Sequence, residues 1–519
     1  MKKNIILVFV LVVTSFYTTC FSQIKFNYSA YFTEPEKHYI EVELNIENSK
    51  VGETDFILPV WTPGYYEILD SPKNIVDFNV KNSNNEAISW YKKLKNHWVV
   101  KNQYDKNFTI TYRYFANQKS VAESNVDGEK AFIMPNNVFM HVKHNLQEPV
   151  TLKITPYKSW KTISTGLTEK DSGIFYANNF DMLYDSPIYI GSPYTFAFNH
   201  EGKQFSVSIA KPDGLIEEQL TNDLKRIISA TTSLMQHVPY TNYSFIMMEA
   251  GGGGLEHWNS QAVFTGGSFN FEDKSDYIDF LNFITHEYFH LYNVKAIRPI
   301  ELGPFDYSKE NYTNMLWVSE GLTVYYEYII MMRAGLLEKF AAFDYLSSSI
   351  KRYENIEGKN HMSLARSSFD IWLNFFNHNS NASETTISYY NKGPIIGFLL
   401  DLKIRNSTKN EKSLDDVMRF LYNEYYLKQN RGFKEEEFWK VCETIAENTM
   451  EGIKEYVYTT NEIDYQKFLN YAGLEIDLSP IKGEQNNVLI KRVFNISEKK
   501  QASKIQMKIR NDIFLVNKS

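Results

Sequence analysis

The sequence predicts a multidomain α+β protein: an N-terminal antiparallel β-sandwich, a mostly α-helical domain, and a short strand-rich end. Three observations predict it. The 519 residues are enough for two to four domains. Up to about residue 200, apolar and polar residues alternate with the period of a half-buried strand, as in "HYIEVELNIE" and "NFTITYRYF". Beyond about residue 210, apolar residues recur at helical spacing instead. Turn sequences such as "NSNNE" and "VDGEK" separate the early runs, which suits a sandwich. After "GLIEEQLTNDLKRIISATTSLMQHV", a strand-like "YSFIMMEA" leads into "GGGG". Helical patterns then cover 276–295, 313–334, 337–353, 391–405, 412–427 and 434–448. From 481 the pattern returns to short strand-like runs, "NVLIKRV" and "DIFLVN".

The chain is 43% hydrophobic and 15% aromatic, which excludes a low-complexity or fibrous protein. A formal net charge of −7 gives no electrostatic footprint for nucleic acid. The start, "MKKNIILVFVLVVTSFYTTCFSQ", has the form of a signal peptide: Lys2 and Lys3, then a short apolar run, then small residues before Gln23. The expected division is a signal at 1–22, a β domain at 23–200, a helical domain at 201–480 and a separate segment at 481–519. Export to the periplasm or the medium follows, with no stable membrane span after cleavage. Lipid modification at Cys20 is the lesser alternative. Cleavage leaves Cys442, inside the helical pattern "FWKVCETIAE", so no intramolecular disulfide can form.

Residues 286–290 read "HEYFH". On a helix His286 and His290 share a face, and two imidazoles there can hold one Zn²⁺. Glu287, one position on, can lean toward a water at that ion. The flanking "YIDFLNFITHEYFHLYNV" is apolar, so the helix is buried, and buried histidines and a glutamate need partners. A catalytic zinc takes three protein ligands. Glu320, in the apolar stretch "NMLWVSEGLTVYYEYII", is the third candidate. Glu327 is the alternative, as a ligand or as a residue orienting an imidazole. The ligand types also admit Mn²⁺ or Co²⁺.

The run "HEYFHLYNVKAIRPIELGPFDYSKENYTNMLWVSEGLTVYYE" resembles the core of the glycyl aminopeptidase family of zinc metallopeptidases. These are gluzincins with a thermolysin-like catalytic domain, distantly similar to aminopeptidase N. "LPVWTPGYYEI", "NNVFMHV" and "FDMLYDSPIYIG" resemble the family's N-terminal β domain. "GGGGLEH" and "ISYYNKGPIIGFLLDLKIR" resemble further parts of its catalytic domain. The resemblance implies one zinc per chain on His286, His290 and Glu320, with Glu287 as general base. It implies that Gly253, Gly254 and Glu256 line the substrate cleft, Glu256 meeting the free α-ammonium of a peptide. It implies that Tyr390 is the oxyanion donor, with Tyr389 the alternative one register away. His257 stays unassigned. The implied activity is removal of N-terminal residues, glycine or alanine first, from peptides with a free N-terminus. A zinc endopeptidase with the same metal site is the alternative, and a binding protein that keeps the fold is a more distant one. The segment 481–519 resembles the first half of a PDZ domain, as a truncated module or a tail. The sequence carries no sign of oligomeric state.

Overall fold

In the computed structural model the described residues are 23–514, except 211, 267–269, 375–378 and 486–489. The expected signal peptide, Cys20, residues 487–489 of "NVLIKRV" and 515–517 of "FLVN" lie outside them.

The early alternation does make strands. In Tyr39–Glu47 every second side chain is buried, and the strand pairs in register with Lys25–Tyr31 on one side and Phe108–Phe115 on the other. The sheet has seven strands, ordered Thr168–Asp171, Ile174–Ala177, Val150–Thr155, Lys25–Tyr31, Tyr39–Glu47, Phe108–Phe115 and Ile75–Asn82. Two four-stranded sheets complete the domain, and one core joins the sheets, with Trp98, Tyr28 and Tyr114 fully buried. One pairing departs from the antiparallel expectation: Lys25–Tyr31 runs parallel to Val150–Thr155, because the chain crosses over before it returns.

The boundary after this domain also differs from the expected residue 200. Tyr194–His200 forms a hairpin with Lys203–Ile209, and both belong to the next domain's sheet. Its five strands run Tyr194–His200, Lys203–Ile209, Asn242–Ala250, Ser260–Gly266 and Gly254–Glu256, so Gly254–Glu256 is the edge strand. Asn242–Ala250 is parallel to both neighbours, and the helix Glu217–Met235 supplies one crossover.

Three helices position the site: α1 (Lys274–Phe289), α2 (Leu322–Arg333) and α3 (Tyr389–Ser407). The Asp273 side chain caps α1 by accepting from the Ser275 and Asp276 amides. The expected helix at 276–295 ends early: His290 is its C-cap and 291–297 are turns. The expected helix at 313–334 is broken too. Trp317–Gly321 is one turn of π-helix leading into α2, and it carries Glu320.

The end of the chain packs on the helical domain. Leu474–Asp477 pairs with Asn495–Glu498, and Asp512 and Ile513, expected in a strand, lie in the helix Lys504–Ile513. Ile509, Ile513 and Phe514 join the same core as α1–α3, with Phe514 edge-on to Phe343. Cys442 is buried in that core, where burial pushes its thiol pKa far up. The two domains meet through 305–307: Trp61 donates to Asp306 O at 2.8 Å, and Val60 N to Tyr307 O at 2.9 Å. No helix among the described residues is long and apolar enough to cross a membrane.

Candidate active site

α1 places His286 one turn before its C-cap, His290, as the four-residue spacing requires. The two Nε2 atoms face each other at 3.0 Å. Glu320 Oε2, from the π-turn, stands 3.2 Å from His290 Nε2 and 3.7 Å from His286 Nε2. The other ring nitrogens are engaged elsewhere. His286 Nδ1 meets Glu327 Oε2 at 2.6 Å, and His290 Nδ1 donates to Asn293 O at 2.7 Å. With Nδ1 as the donor on each ring, each Nε2 offers its lone pair to a cation once the ring is neutral. Two lone pairs and a carboxylate oxygen converge on one point. Ligands about 2.0–2.2 Å from a tetrahedral zinc would stand about 3.3 Å apart, so the arrangement fits such a cation.

The π-turn is held from below. Asn293 Nδ2 donates to the Val318 and Ser319 carbonyls at 2.7 and 3.1 Å. Those are backbone acceptors that the irregular turn leaves over. Glu327, on α2, accepts from Asn282 at 2.8 Å on its other oxygen. It orients an imidazole and does not belong to the ligand group.

Charge is heavily negative here. Burial opposes the charge on both histidines, but hydrogen bonds and carboxylate charges outweigh it and raise their pKa values. Burial would raise Glu320, yet the two imidazoles pull it down to about 2. Burial lifts Glu287 to about 7, against the pull of His286 and His290. Burial also raises Glu256. Four carboxylates beside two imidazoles form a site that a dication would neutralise.

The edge strand Gly254–Glu256 runs beside α1. A Cβ on Gly254 would lie 2.6 Å from Glu287 Cδ, so only glycine lets the strand come this close to that carboxylate. Gly253 precedes the strand at φ +88°. Oxygens of Glu256 and Glu287 lie within 4.8 Å of a nitrogen of His290 and of each other. Glu256 is 4% exposed. The β domain covers it: a Cβ on Gly64 would stand 2.7 Å from Glu256 Oε1. His257, next along, turns the other way, and its Nδ1 meets Asp185 at 3.0 Å.

Ser388 Oγ accepts from Tyr390 N and starts α3, which presents Tyr389 and Tyr390 to the site. The Tyr390 ring centroid is 6.5 Å from that of His286. Tyr389 is fully buried and Tyr390 partly open. Burial raises both phenols, and Glu320 is the strongest charge acting on each.

Tyr66 escaped the sequence reading. It comes from the β domain but belongs to the helical domain's core, stacked on Trp61 and edge-on to Trp372. Burial raises its pKa, and the charges of Glu320 and Glu256 raise it further. Its only sequence signal is the Gly, Pro and aromatic cluster "WTPGYY" amid alternating strands. Asn293 and Asn282 gave no signal.

Two family models match. One, described as the Peptidase M61 N-terminal domain, covers residues 27–192. The other, M61 glycyl aminopeptidase, covers 279–396 and so spans His286, Glu287, His290, Glu320 and Tyr390. The chain belongs to the M61 glycyl aminopeptidase family. Among solved structures it is similar to an aminopeptidase N family protein from Idiomarina loihiensis, with TM-score 0.83, 26% identity, and coverage of 89% of this chain and 81% of that one. The M1 zinc metallopeptidase of Deinococcus radiodurans shares the fold, with TM-score 0.52, 10% identity and coverage of 85% and 94%. So does yeast LTA4 hydrolase in complex with Bestatin, with TM-score 0.52, 14% identity and coverage of 87% and 70%. No curated protein sequence matches the chain. The M61 protein is thus a metallopeptidase, with a β-rich N-terminal domain and a helical catalytic region.

Proposed function

We propose that this M61 protein is an exported aminopeptidase with one zinc on His286, His290 and Glu320, and that it removes small N-terminal residues from peptides. The observation that carries the exopeptidase reading is the place of Glu256. Its buried carboxylate ends the edge strand beside Glu287 and His290, and Gly64 of the β domain closes over it. A peptide entering there presents its α-ammonium to a carboxylate in a low-dielectric pocket, where the ion pair is strong. An internal peptide bond has no such group to offer.

The residues then divide the work. Zinc, when bound, supplies a Lewis acid that acidifies a water and polarises a carbonyl. Glu287 takes the proton of the attacking water and passes it to the leaving amine. The Tyr390 hydroxyl donates to the developing oxyanion. The free side of the edge strand pairs with the peptide backbone as an added strand. The preference for glycine or alanine as the first residue rests on the glycyl aminopeptidase family match.

Hydrolysis of Gly-, Ala- and Leu-p-nitroanilide beside N-acetyl-Ala-p-nitroanilide tests this reading. Only the free-amine substrates should be cut, Gly and Ala fastest, and Glu287→Gln should lower kcat by about 10³. Efficient cleavage of the acetylated substrate would make the enzyme an endopeptidase and remove the role of Glu256.

A further inference from the structure

A cavity of about 460 Å³ lies between the two domains, apart from the metal site. None of His286, Glu287, His290, Glu320 and Tyr390 lines it. Its charged residues are Asp181 and Asp185 from the β domain, and Lys295, Arg298 and Arg431 from the catalytic domain.

All but one of these charged groups make direct hydrogen bonds. Asp185 accepts from Lys295 Nζ at 2.7 Å, His257 Nδ1 at 3.0 Å and the Trp258 amide at 2.9 Å. Arg431 makes a two-point pair with Glu437 at 2.8 Å. Asp181 accepts from the Tyr307 hydroxyl at 2.7 Å and from Gln147 at 3.4 Å, and burial raises its pKa against the pull of Tyr307 and the Arg298 charge.

Arg298 is the exception. Among the described residues its guanidinium has no hydrogen-bond acceptor and no carboxylate within ion-pair distance. It lies over the Phe305 ring, 5.2 Å from the centroid, and against Gly303, where a Cβ would stand 2.5 Å from Nε. Its backbone is fixed, because Phe433 N donates to Arg298 O at 2.9 Å and Ile300 N to Phe433 O at 2.8 Å. The Phe305 ring and the Gly303 backbone thus hold the fork at the cavity, with no direct acceptor among the described residues. Burial lowers its pKa, against the more distant charges of Asp181 and Asp185, and a guanidinium taken from water gains from a directly bonded anion. A planar fork of this kind matches a carboxylate at two points. Phe305, Tyr307, Trp258 and Tyr426 give the same cavity an aromatic lining, which suits a carbon skeleton rather than a bare inorganic ion.

We propose that the interdomain cavity binds a small organic carboxylate, its carboxylate on the Arg298 guanidinium and its carbon body against Phe305 and its aromatic neighbours. The proposal is independent of the peptidase reading, since it uses none of that site's residues.

Calorimetric titration of the zinc-loaded full chain with benzoate and with neutral benzamide tests it. Benzoate should bind at least about tenfold more tightly than benzamide, and Arg298→Gln should abolish the difference. Arg298→Lys keeps the charge but loses the fork, and should weaken benzoate about fivefold. Should Arg298→Gln fail to fold, the Lys variant decides. Equal binding of the two probes overturns the proposal. So does benzoate binding that Arg298→Gln or Arg298→Lys leaves unchanged, which would place the carboxylate on the metal.

Discussion

Glu327 touches no face of His286 that looks toward the metal position; it holds the far nitrogen at 2.6 Å and is itself held by Asn282 at 2.8 Å. That pair fixes both the tautomer and the tilt of the ring. Glu327→Ala should therefore lower zinc affinity 10–100-fold, measured by competition with a chelator. Excess zinc should restore most of the rate, which loss of a direct ligand would not allow. Gly254 limits the reaction differently. The nearest atoms to a new Cβ are the carboxylate end of Glu287 and the Phe283 ring, all of which can swing away. Gly254→Ala should then leave zinc content and melting temperature nearly unchanged, while kcat falls at least ~10² because the base is displaced. At this scale the sequence was readable where spacing carries meaning. His286, Glu287 and His290 follow from a four-residue repeat on an apolar helix. Tyr66 and Asn293 did not, because their roles arise from contacts with residues distant in the chain.

The element that sets Glu320 is one irregular turn crossed by α3. Gly321 and Gly393 meet there backbone to backbone: a Cβ on Gly321 would lie 2.5 Å from Gly393 Cα. No side chain can yield at such a contact. Gly393→Ala must part α3 from the π-turn, moving Tyr390 and Glu320 relative to each other. It should cost about 2–3 kcal/mol of stability, read from the denaturant midpoint, and lower both zinc affinity and rate. Gly452, in the helix Glu451–Tyr458, is the control, since a Cβ there meets nothing within 4 Å. Gly452→Ala should stabilise by up to about 1 kcal/mol. The crossing also shows why helix ends were misread. Apolar periodicity continues through 290–297 and 313–321, yet Asn293 diverts the backbone by binding the Val318 and Ser319 carbonyls. Periodicity reports which face is buried, not how the ladder of hydrogen bonds runs beneath it.

For the whole molecule, the two-domain division was visible because alternation and helical spacing are local signals; the docking of the domains is not local. Tyr194–His200 alternates like the strands before it, and only its pairing with Lys203–Ile209 assigns it to the catalytic sheet. The docking surface also contains a group that ties the fold to pH. His141 is 6% exposed, in a strand paired with Thr54–Ile57. The Tyr184 hydroxyl donates to Phe139 O at 3.0 Å, so His141 Nδ1–H donates to the phenol oxygen, also at 3.0 Å. Tyr184 in turn packs edge-on to Tyr307 of the catalytic domain. Burial drives the His141 pKa down to about 3, with Asp306 pulling weakly the other way. In the unfolded chain the same group titrates near ~6.5. Between those values the unfolded chain binds more protons, so acid favours unfolding. The contribution is complete above about pH 6.5, and by pH 5 it has fallen by about 2 kcal/mol. Asp181, whose pKa burial raises, works in the opposite sense, so the wild-type curve alone does not isolate His141. The decisive quantity is a difference: His141→Phe loses the hydrogen bond at every pH but has no proton to gain. Its stability, from urea midpoints at pH 8 and pH 5, should fall by about 2 kcal/mol less than that of the wild type over the same interval. Parallel curves would mean that His141 accepts a proton inside the fold, and that the interface opens to admit it.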